Sequence, residues 1–345
     1  MTDSPADGDA PDSPRESAPR RAVDSRGSAR DPFEHAREHA RDQLEHARDQ
    51  LEQAREQFEA ANERIKQRTG RDLILAILTG LVLGALVLAS LLIVKWTFVL
   101  LALAAAGFGT FELVRALQAG GRRVDVVPQL AAVVLIVLPA YFSDHWLHWT
   151  ALFASVFLIA VWRMLGQMAA RDGRLYGDVL GDVLAGAFVP VYVSFLASLA
   201  VALLRQPHGE WWVLAFLITT IAADTGAYAA GLAFGRHPMA PRISPKKTWE
   251  GFAGAAIAAL AAGALLAQFM LGVPWWAGLI FGLVILATAT IGDLGESMLK
   301  RDLGIKDMSS WVPGHGGVLD RLDSILLSAG AALALYALLS PLAGA

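Results

Sequence analysis

From Leu73 to the end of the chain, apolar stretches of about 20 residues alternate with short polar connectors. A stretch of this length is long enough to cross the hydrocarbon core of a bilayer as a helix. Inside lipid the backbone must satisfy its own hydrogen bonds, and a helix does so within one segment. The sequence therefore predicts an all-α, polytopic membrane protein of about nine transmembrane helices. We place these helices at residues 73–94, 97–117, 126–142, 148–165, 179–204, 211–235, 251–271, 275–292 and 323–342.

The chain before this membrane-embedded domain (residues 71–345) has a different composition and forms two predicted regions. Residues 1–32 are rich in Asp, Ser, Pro and Arg, so they cannot bury enough apolar surface to fold, and we expect a disordered tail. Residues 33–70 carry a seven-residue repeat of Ala and larger apolar residues among charged ones, which predicts a charged heptad helix. A solvated single helix, a self-associating coiled coil and a partner-docking helix all remain open.

Basic residues are concentrated in alternate connectors, as at Arg122 and Lys246, whereas the opposite connectors hold little beyond Lys95 and Arg205. The positive-inside rule then predicts a multi-pass protein of the cell membrane with its N-terminus in the cytoplasm. The charged connectors after residue 235 would face the cytoplasm, where a nucleotide could reach them. The chain has no cysteine, which excludes disulfides, thiolate catalysis and Cys-based zinc sites.

An ionisable residue, Asp224, lies inside the sixth predicted helix, in the sequence Ala-Asp-Thr-Gly-Ala-Tyr of residues 223–228. A charged side chain within a membrane helix is costly, so it is a functional candidate by default. The alternative is an Asp paired with a basic residue where two helices pack. The small residues around it allow close helix approach, which suits both interpretations.

The connector before the seventh predicted helix holds Ser244, two adjacent lysines, Lys246 and Lys247, and Thr248. Lysines, hydroxyls and the free N–H groups of a helix start together form a suitable place for a polyphosphate. The alternative is an ordinary basic connector that follows the positive-inside rule without any ligand. The glycine spacing of a Walker loop is absent.

The longest charged stretch after residue 72 is residues 293–323. Asp293 and Ser297 are four residues apart and share one face of a helix, and Asp320 and Asp323 share a face if the ninth helix begins near Leu319. Carboxylates at the ends of two membrane helices could surround a hard cation such as Mg²⁺, which prefers oxygen ligands.

Basic residues and a glycine-rich turn accompany these acids. Salt bridges to Lys300, Arg301 and Arg321 would explain one or two of the aspartates, but they explain poorly why acids lie at the ends of two membrane helices. The glycines around His315 allow the backbone to approach a ligand closely. His315 either shapes this turn or acts directly in catalysis.

These stretches resemble the motifs of one enzyme family, in the family's order. The signature within residues 297–323, Ser-Met-Leu-Lys-Arg, then Lys-Asp, then Pro-Gly-His-Gly-Gly-Val-Leu-Asp-Arg-Leu-Asp, resembles that of the phosphatidate cytidylyltransferases, the CDP-diacylglycerol synthases. Residues 223–228 and 243–251 are similar to further motifs of that family. The resemblance covers about residues 72–345, and the segments before it lie outside.

The resemblance implies an activity, cofactors, partners and a set of site residues. Such enzymes join CTP and phosphatidic acid to give CDP-diacylglycerol and pyrophosphate. They are membrane-embedded homodimers that use Mg²⁺ with K⁺ as a second cation, and no nucleic-acid partner is expected. The positions that match cation ligands are Asp293, Ser297 and Asp320. The residues expected to act in catalysis are Asp293, Asp320, Lys246, Lys247 and Arg321. The residues expected to bind substrate are Ser244, Thr248, Asp224, Tyr228, Lys300, Arg301, His315, Gly316 and Gly317.

Other functions also remain in competition. A near variant would act on a different lipid phosphate, because tail selection depends on unremarkable apolar residues. An ion-binding membrane transporter is suggested by Asp224 and Glu112, two acids within predicted helices, and it predicts broken helices or inverted repeats. We find no convincing internal repeat, and the acids cluster at one surface.

Overall fold

The computed structural model describes residues 48, 50, 52–53, 73–170, 173–309 and 316–343. The chain divides into two units, Met1–Ala61 and Asn62–Ala345. The predicted tail at residues 1–32 lies outside the described residues. Only four residues of the predicted heptad helix are described, and they are helical, so its association with itself or a partner stays a prediction.

The described part of the second unit consists almost entirely of helices. In chain order they are α1 (Leu73–Leu92), α2 (Trp96–Ala119), α3 (Val126–Phe142), α4 (His145–Ala169), α5 (Tyr176–Leu204), α6 (Gly209–Phe234), α7 (Trp249–Leu271), α8 (Trp275–Asp302) and α9 (Leu319–Leu339). Within the described chain, seven of these helices, α2 and α4 to α9, are long and apolar enough to cross a membrane. Helices α1 and α3 contribute shorter apolar stretches. The prediction of an all-α, polytopic membrane protein is confirmed.

Large apolar side chains stand exposed on the outer faces of the helices. Phe153, Ile257, Phe269 and Leu338 are among them, with Phe269 82% exposed. A soluble monomer rarely leaves so much apolar surface uncovered. These faces are therefore suited to contact lipid, which agrees with the length and composition of the spans.

Two helix boundaries near the charged stretch differ from the prediction. Helix α8 extends to Asp302 rather than ending at residue 292, and α9 begins at Leu319 rather than at residue 323. The prediction followed the end of the apolar run, but Leu, Met, Glu, Lys and Arg are good helix formers in water as well as in lipid. Asp293, Glu296, Lys300, Arg301 and Asp320 therefore lie on helical turns rather than on a connector.

Glycines bring α6 and α7 into close contact. A Cβ atom on Gly226 would lie 2.6 Å from the carbonyl oxygen of Gly254, and one on Gly254 would lie 2.6 Å from the carbonyl oxygen of Gly226. Small residues at such a crossing let two backbones touch, which is a common mode of helix packing in membranes. This crossing fixes the end of α6 against the start of α7.

A short antiparallel hairpin joins α6 to α7, where the sequence predicts only a basic connector. Strand β1 (Pro238–Ala240) pairs with β2 (Ser244–Thr248). Thr248 then caps α7, because its hydroxyl accepts a hydrogen bond of 3.1 Å from the N–H of Gly251. The carboxylate of Glu250 accepts the N–H groups of Arg236 and His237 at 3.1 and 3.2 Å. The hairpin is thus anchored to the first turn of α7.

Candidate active site

Four elements meet at one end of the helices: the C-terminal half of α6, the β1–β2 hairpin, the C-terminal half of α8 and the first turns of α9. Arg301 on α8 donates from Nε to the carbonyl of Ile243 in the hairpin at 3.2 Å. The hydroxyl of Ser324 on α9 lies 3.5 Å from Oδ2 of Asp224 on α6. We use the name acidic cluster for the five carboxylates that these elements carry here: Asp224, Asp293, Glu296, Asp320 and Asp323.

Asp293 forms an ion pair with Lys247, which joins α8 to β2. Both side chains are about one-third exposed, at 32% and 27%. Ser297, one turn further along α8, donates to Oδ1 of Asp293 at 3.4 Å. Lys246, the preceding residue of β2, is exposed. The hairpin therefore distinguishes two lysines that look equivalent in the sequence.

Lys300 bridges α8 and α9. Its Nζ lies 2.8 Å from Oδ1 of Asp320 and 3.2 Å from Oε2 of Glu296, one turn earlier on its own helix. The other oxygen of Asp320 accepts the N–H groups of Gly317 at 2.8 Å and Met308 at 3.0 Å. Asp320 is buried, and each of its oxygens has a donor. A buried carboxylate held in this way has one fixed orientation.

Glu296 lies on α8 close to the point where that helix crosses α9. It is fully buried, and its Oε1 has no hydrogen-bond partner among the described residues. The helices cross closely here, since a Cβ on Gly292 would overlap the backbone carbonyl of Asp323. A buried carboxylate oxygen without a donor is costly unless a proton or a cation satisfies it.

The carboxyls of Asp224, Asp293 and Asp323 influence one another electrostatically. Asp320 is instead bound directly by Lys300. The sequence predicts that Asp293 and Asp320 act together, because both stand at helix ends. Asp323, one turn further into α9, is the residue whose backbone packs against α8 at Gly292.

Tyr192 approaches the acidic cluster from α5. It lies on the π-helical turn Pro190–Phe195, and its hydroxyl is buried without a hydrogen-bond partner among the described residues. Glu296, Asp323 and Asp293 are its charged neighbours. A π-helical turn within a long helix often marks a functional site. No sequence pattern singles out Tyr192, because it lies in an apolar run.

The sequence matches the Cytidylyltransferase family over residues 74–339. The chain belongs to the cytidylyltransferase family. It is 39% identical over 285 residues to a protein of Mycobacterium bovis named phosphatidate cytidylyltransferase, covering 79% of this chain and 90% of that relative. It is 36% identical over 288 residues to the phosphatidate cytidylyltransferase of Mycobacterium leprae, and the match covers 79% of this chain and 90% of that relative. It is also 30% identical over 278 residues to the chloroplastic phosphatidate cytidylyltransferase 4 of Arabidopsis thaliana, and the match covers 72% of this chain and 68% of that relative.

Family membership confirms the resemblance, but the individual site residues of this cytidylyltransferase stay predictions. The structure brings together Asp224, Lys247, Asp293, Ser297, Lys300 and Asp320. It places Tyr228 and Arg321 at exposed positions. Ser244 is half-buried on β2, and Thr248 is used as the cap of α7. Gly316 has a φ of +84°, which favours glycine. His315 lies outside the described residues.

Among the described residues of the cytidylyltransferase, no group of three or more His, Asp or Glu side chains is gathered closely enough to hold a metal ion. Instead Lys247 and Lys300 supply positive charge to Asp293 and Asp320. The acidic cluster nevertheless has five carboxylates against these two lysines. That surplus, together with the oxygen of Glu296 that has no donor, suits a hard cation with oxygen ligands.

Proposed function

We propose that the protein is a phosphatidate cytidylyltransferase, which joins CTP and phosphatidic acid to give CDP-diacylglycerol and pyrophosphate. The observation that carries the proposal is the meeting of lysines and acids from α6, α8, α9 and the hairpin at one end of apolar helices, in a chain of the cytidylyltransferase family. The named relatives support the choice of phosphatidic acid as the lipid substrate.

The reaction needs one bond to form and one to break. A phosphate oxygen of phosphatidic acid attacks the α-phosphorus of CTP, and a new P–O bond forms. The bond from that phosphorus to the pyrophosphate oxygen breaks, and pyrophosphate leaves with the electron pair. A phosphate monoester is largely ionised at neutral pH, so the attacking oxygen needs no strong general base. The protein therefore mainly positions two anions in line and offsets their repulsion.

Basic residues at the mouth of the site would hold the phosphates. Lys246 is exposed, whereas the adjacent Lys247 pairs with Asp293, so β2 can present positive charge both to solvent and to the acidic cluster. Arg321 stands exposed at the first turn of α9. Orienting phosphates with such side chains lowers the entropy cost of bringing the reactants together.

The cations proposed for this site are Mg²⁺, with K⁺ as the second. Asp293, Ser297 and Asp320 would hold them, and Asp323 and Glu296 supply further oxygen atoms next to these. When bound, Mg²⁺ neutralises phosphate oxygens and stabilises the charge on the departing pyrophosphate. The acid surplus of the cluster supports this assignment, because two anionic substrates cannot be bound next to unneutralised carboxylates.

The protein is a multi-pass membrane protein, and we propose that its N-terminus and its active site face the cytoplasm. The basic connectors that support this orientation include the hairpin, with Lys246 and Lys247, and the segment after α8. The lipid tails of the substrate would remain in the bilayer while its headgroup meets CTP at the surface. A homodimer is the proposed assembly, on the resemblance to the family alone.

The test uses the purified full chain in lipid nanodiscs with CTP, phosphatidic acid and Mg²⁺. Pyrophosphate release is the expected result. Asp293→Asn and Asp320→Asn, made one at a time, should each lower turnover by about 100-fold or more. Asp144→Asn is the matched control, because that side chain is 95% exposed in the connector between α3 and α4, and it should leave turnover unchanged.

Two outcomes would replace this proposal. If a different lipid phosphate outcompetes phosphatidic acid, the near variant is correct. If ions cross proteoliposomes and no nucleotide is turned over under any lipid or K⁺ condition, the transporter is correct. Glu112, one of the two acids that suggest a transporter, instead binds the backbone at the start of α9. It therefore no longer favours that function.

A further inference from the structure

Glu112 is a carboxylate on α2 that is only 2% exposed. A charged side chain in a membrane helix is retained only where it is hydrogen-bonded or paired. Helix α2 lies outside the signature stretches that drew attention to the acidic cluster. We therefore expect Glu112 to have specific hydrogen-bond partners elsewhere in the structure.

The partners of Glu112 lie about 200 residues further along the chain, at the start of α9. Its Oε1 accepts the N–H of Val318 at 3.0 Å, and its Oε2 accepts the N–H of Leu319 at 2.8 Å. The hydroxyl of Ser309 also donates to Oε1. The first N–H groups of a helix have no partner within the helix, and a nearby anion stabilises them. Glu112 thus caps α9 from another helix.

Local sequence offers no substitute for this cap. The residue at the N-cap position is Val318, which has no side-chain acceptor, and no side-chain cap is formed there. In most helices a Ser, Thr, Asp or Asn fills this role. The first turn of α9 therefore depends on α2 for its position.

Glu112 and Asp320 together accept the backbone N–H groups of this turn. Asp320 accepts the N–H of Gly317, while Glu112 accepts the next two. A Cβ on Gly317 would lie 2.9 Å from Oδ2 of Asp320 and 2.9 Å from Oε2 of Glu112. The two carboxylates therefore converge on one glycine. If Glu112 were lost, the freed N–H groups would compete with Lys300 for the oxygens of Asp320.

We propose that Glu112 is a positioning residue for the reaction: by capping α9 from α2, it sets the orientation of Asp320 towards Lys300 and of Asp323 towards α8. This inference rests on the proposed function, since it assigns Glu112 a role in that reaction. Glu112 acts through the first turn of α9 and does not itself contact substrate.

The test compares Glu112→Gln and Glu112→Leu with the wild-type chain in nanodiscs. Gln keeps the volume and one acceptor oxygen, whereas Leu keeps volume and has no acceptor. We expect kcat to fall about 10-fold for Gln and about 100-fold for Leu, the usual range for a residue that orients a functional group. The Mg²⁺ concentration for half-maximal rate should rise in the same order. Glu210→Gln is the control, because Glu210 pairs with Lys95 rather than with α9.

A second measurement, hydrogen exchange followed by mass spectrometry, does not depend on activity. In Glu112→Gln, peptides that contain residues 317–319 should exchange faster than in the wild type, while peptides from α4 should not. If turnover falls only in proportion to the folded fraction and the Mg²⁺ dependence is unchanged, Glu112 is merely structural and the inference is overturned. If the wild type itself fails to turn over CTP, the proposed function fails, and faster exchange still establishes the cap.

Discussion

Gly317 offers the sharpest test of how the first turn of α9 is built. Gly317→Ala would place a Cβ 2.9 Å from a carboxylate oxygen of Asp320 and equally close to one of Glu112. Neither oxygen is the free end of a flexible side chain. Asp320 is held by Lys300 and by the N–H of Met308, so one of these hydrogen bonds to a charged group must lengthen or break.

The expected change in unfolding free energy is the difference between the cost of a lost hydrogen bond and the gain from replacing glycine. Losing one hydrogen bond to a charged group costs about 1.5–3 kcal/mol, while replacing Gly by Ala stabilises by about 0.4–1 kcal/mol through the unfolded chain. The net loss of unfolding free energy is then about 0.5–2.6 kcal/mol. Because the disturbed groups orient Asp320, we also expect turnover to fall at least about 10-fold.

Thermal unfolding in detergent measures the stability of this variant, and pyrophosphate release measures its activity. Gly166→Ala on α4 is the matched control, since a Cβ there meets nothing within 4 Å, and its melting temperature should stay the same or rise. If Gly317→Ala were as stable and as active as the wild type, the convergence of two carboxylates on this glycine would not matter.

Three further predictions concern the elements around the site. Thr248→Ala removes the cap of α7 and should lower the unfolding free energy by about 1 kcal/mol, while Thr248→Ser keeps it, as denaturant titration would report. Lys300→Met leaves two buried carboxylates without their cation and should cost about 3–5 kcal/mol, seen as a lower melting temperature together with lost turnover. Gly254→Val overlaps the backbone of Gly226 and should destabilise by at least about 1–3 kcal/mol. Gly84→Val is its control, because a Cβ at Gly84 meets nothing within 4 Å, so equal melting temperatures would argue against a tight crossing.

Hydropathy was enough to predict the helices, because only a helix satisfies the backbone along an apolar run in lipid. It was not enough to predict where α8 ends. The apolar run stops near Gly292, yet the helix continues to Asp302, since helix propensity does not depend on apolar character. The predicted span for α9 likewise began too late, at residue 323 rather than at Leu319.

The hairpin could not be predicted from pattern. Its second strand is Ser-Pro-Lys-Lys-Thr, which has no alternation of apolar and polar residues to indicate a strand. Its effect on the site is nevertheless large, because it directs Lys247 to Asp293 and leaves Lys246 exposed. Sequence spacing predicted a pair of equivalent lysines.

Partners that lie far apart in sequence were the hardest to predict. Glu112 attracted attention as an acid in a membrane helix, but its partners at Val318 and Leu319 are backbone N–H groups, which every sequence has. Likewise the position of Asp323 against α8 depends on the close crossing of α8 and α9 at Gly292. Local patterns identify candidate side chains, and tertiary packing decides which of them meet.

Lys247 and Lys300 give the resting protein its own counterions. If the proposed cations bind Asp293 and Asp320, they would displace these ammonium groups, and their measured affinity would reflect the difference between the two electrostatic interactions. The displaced ammonium groups would then be available to the phosphates of the nucleotide. Under the proposed function, metal and nucleotide would accordingly strengthen each other's binding.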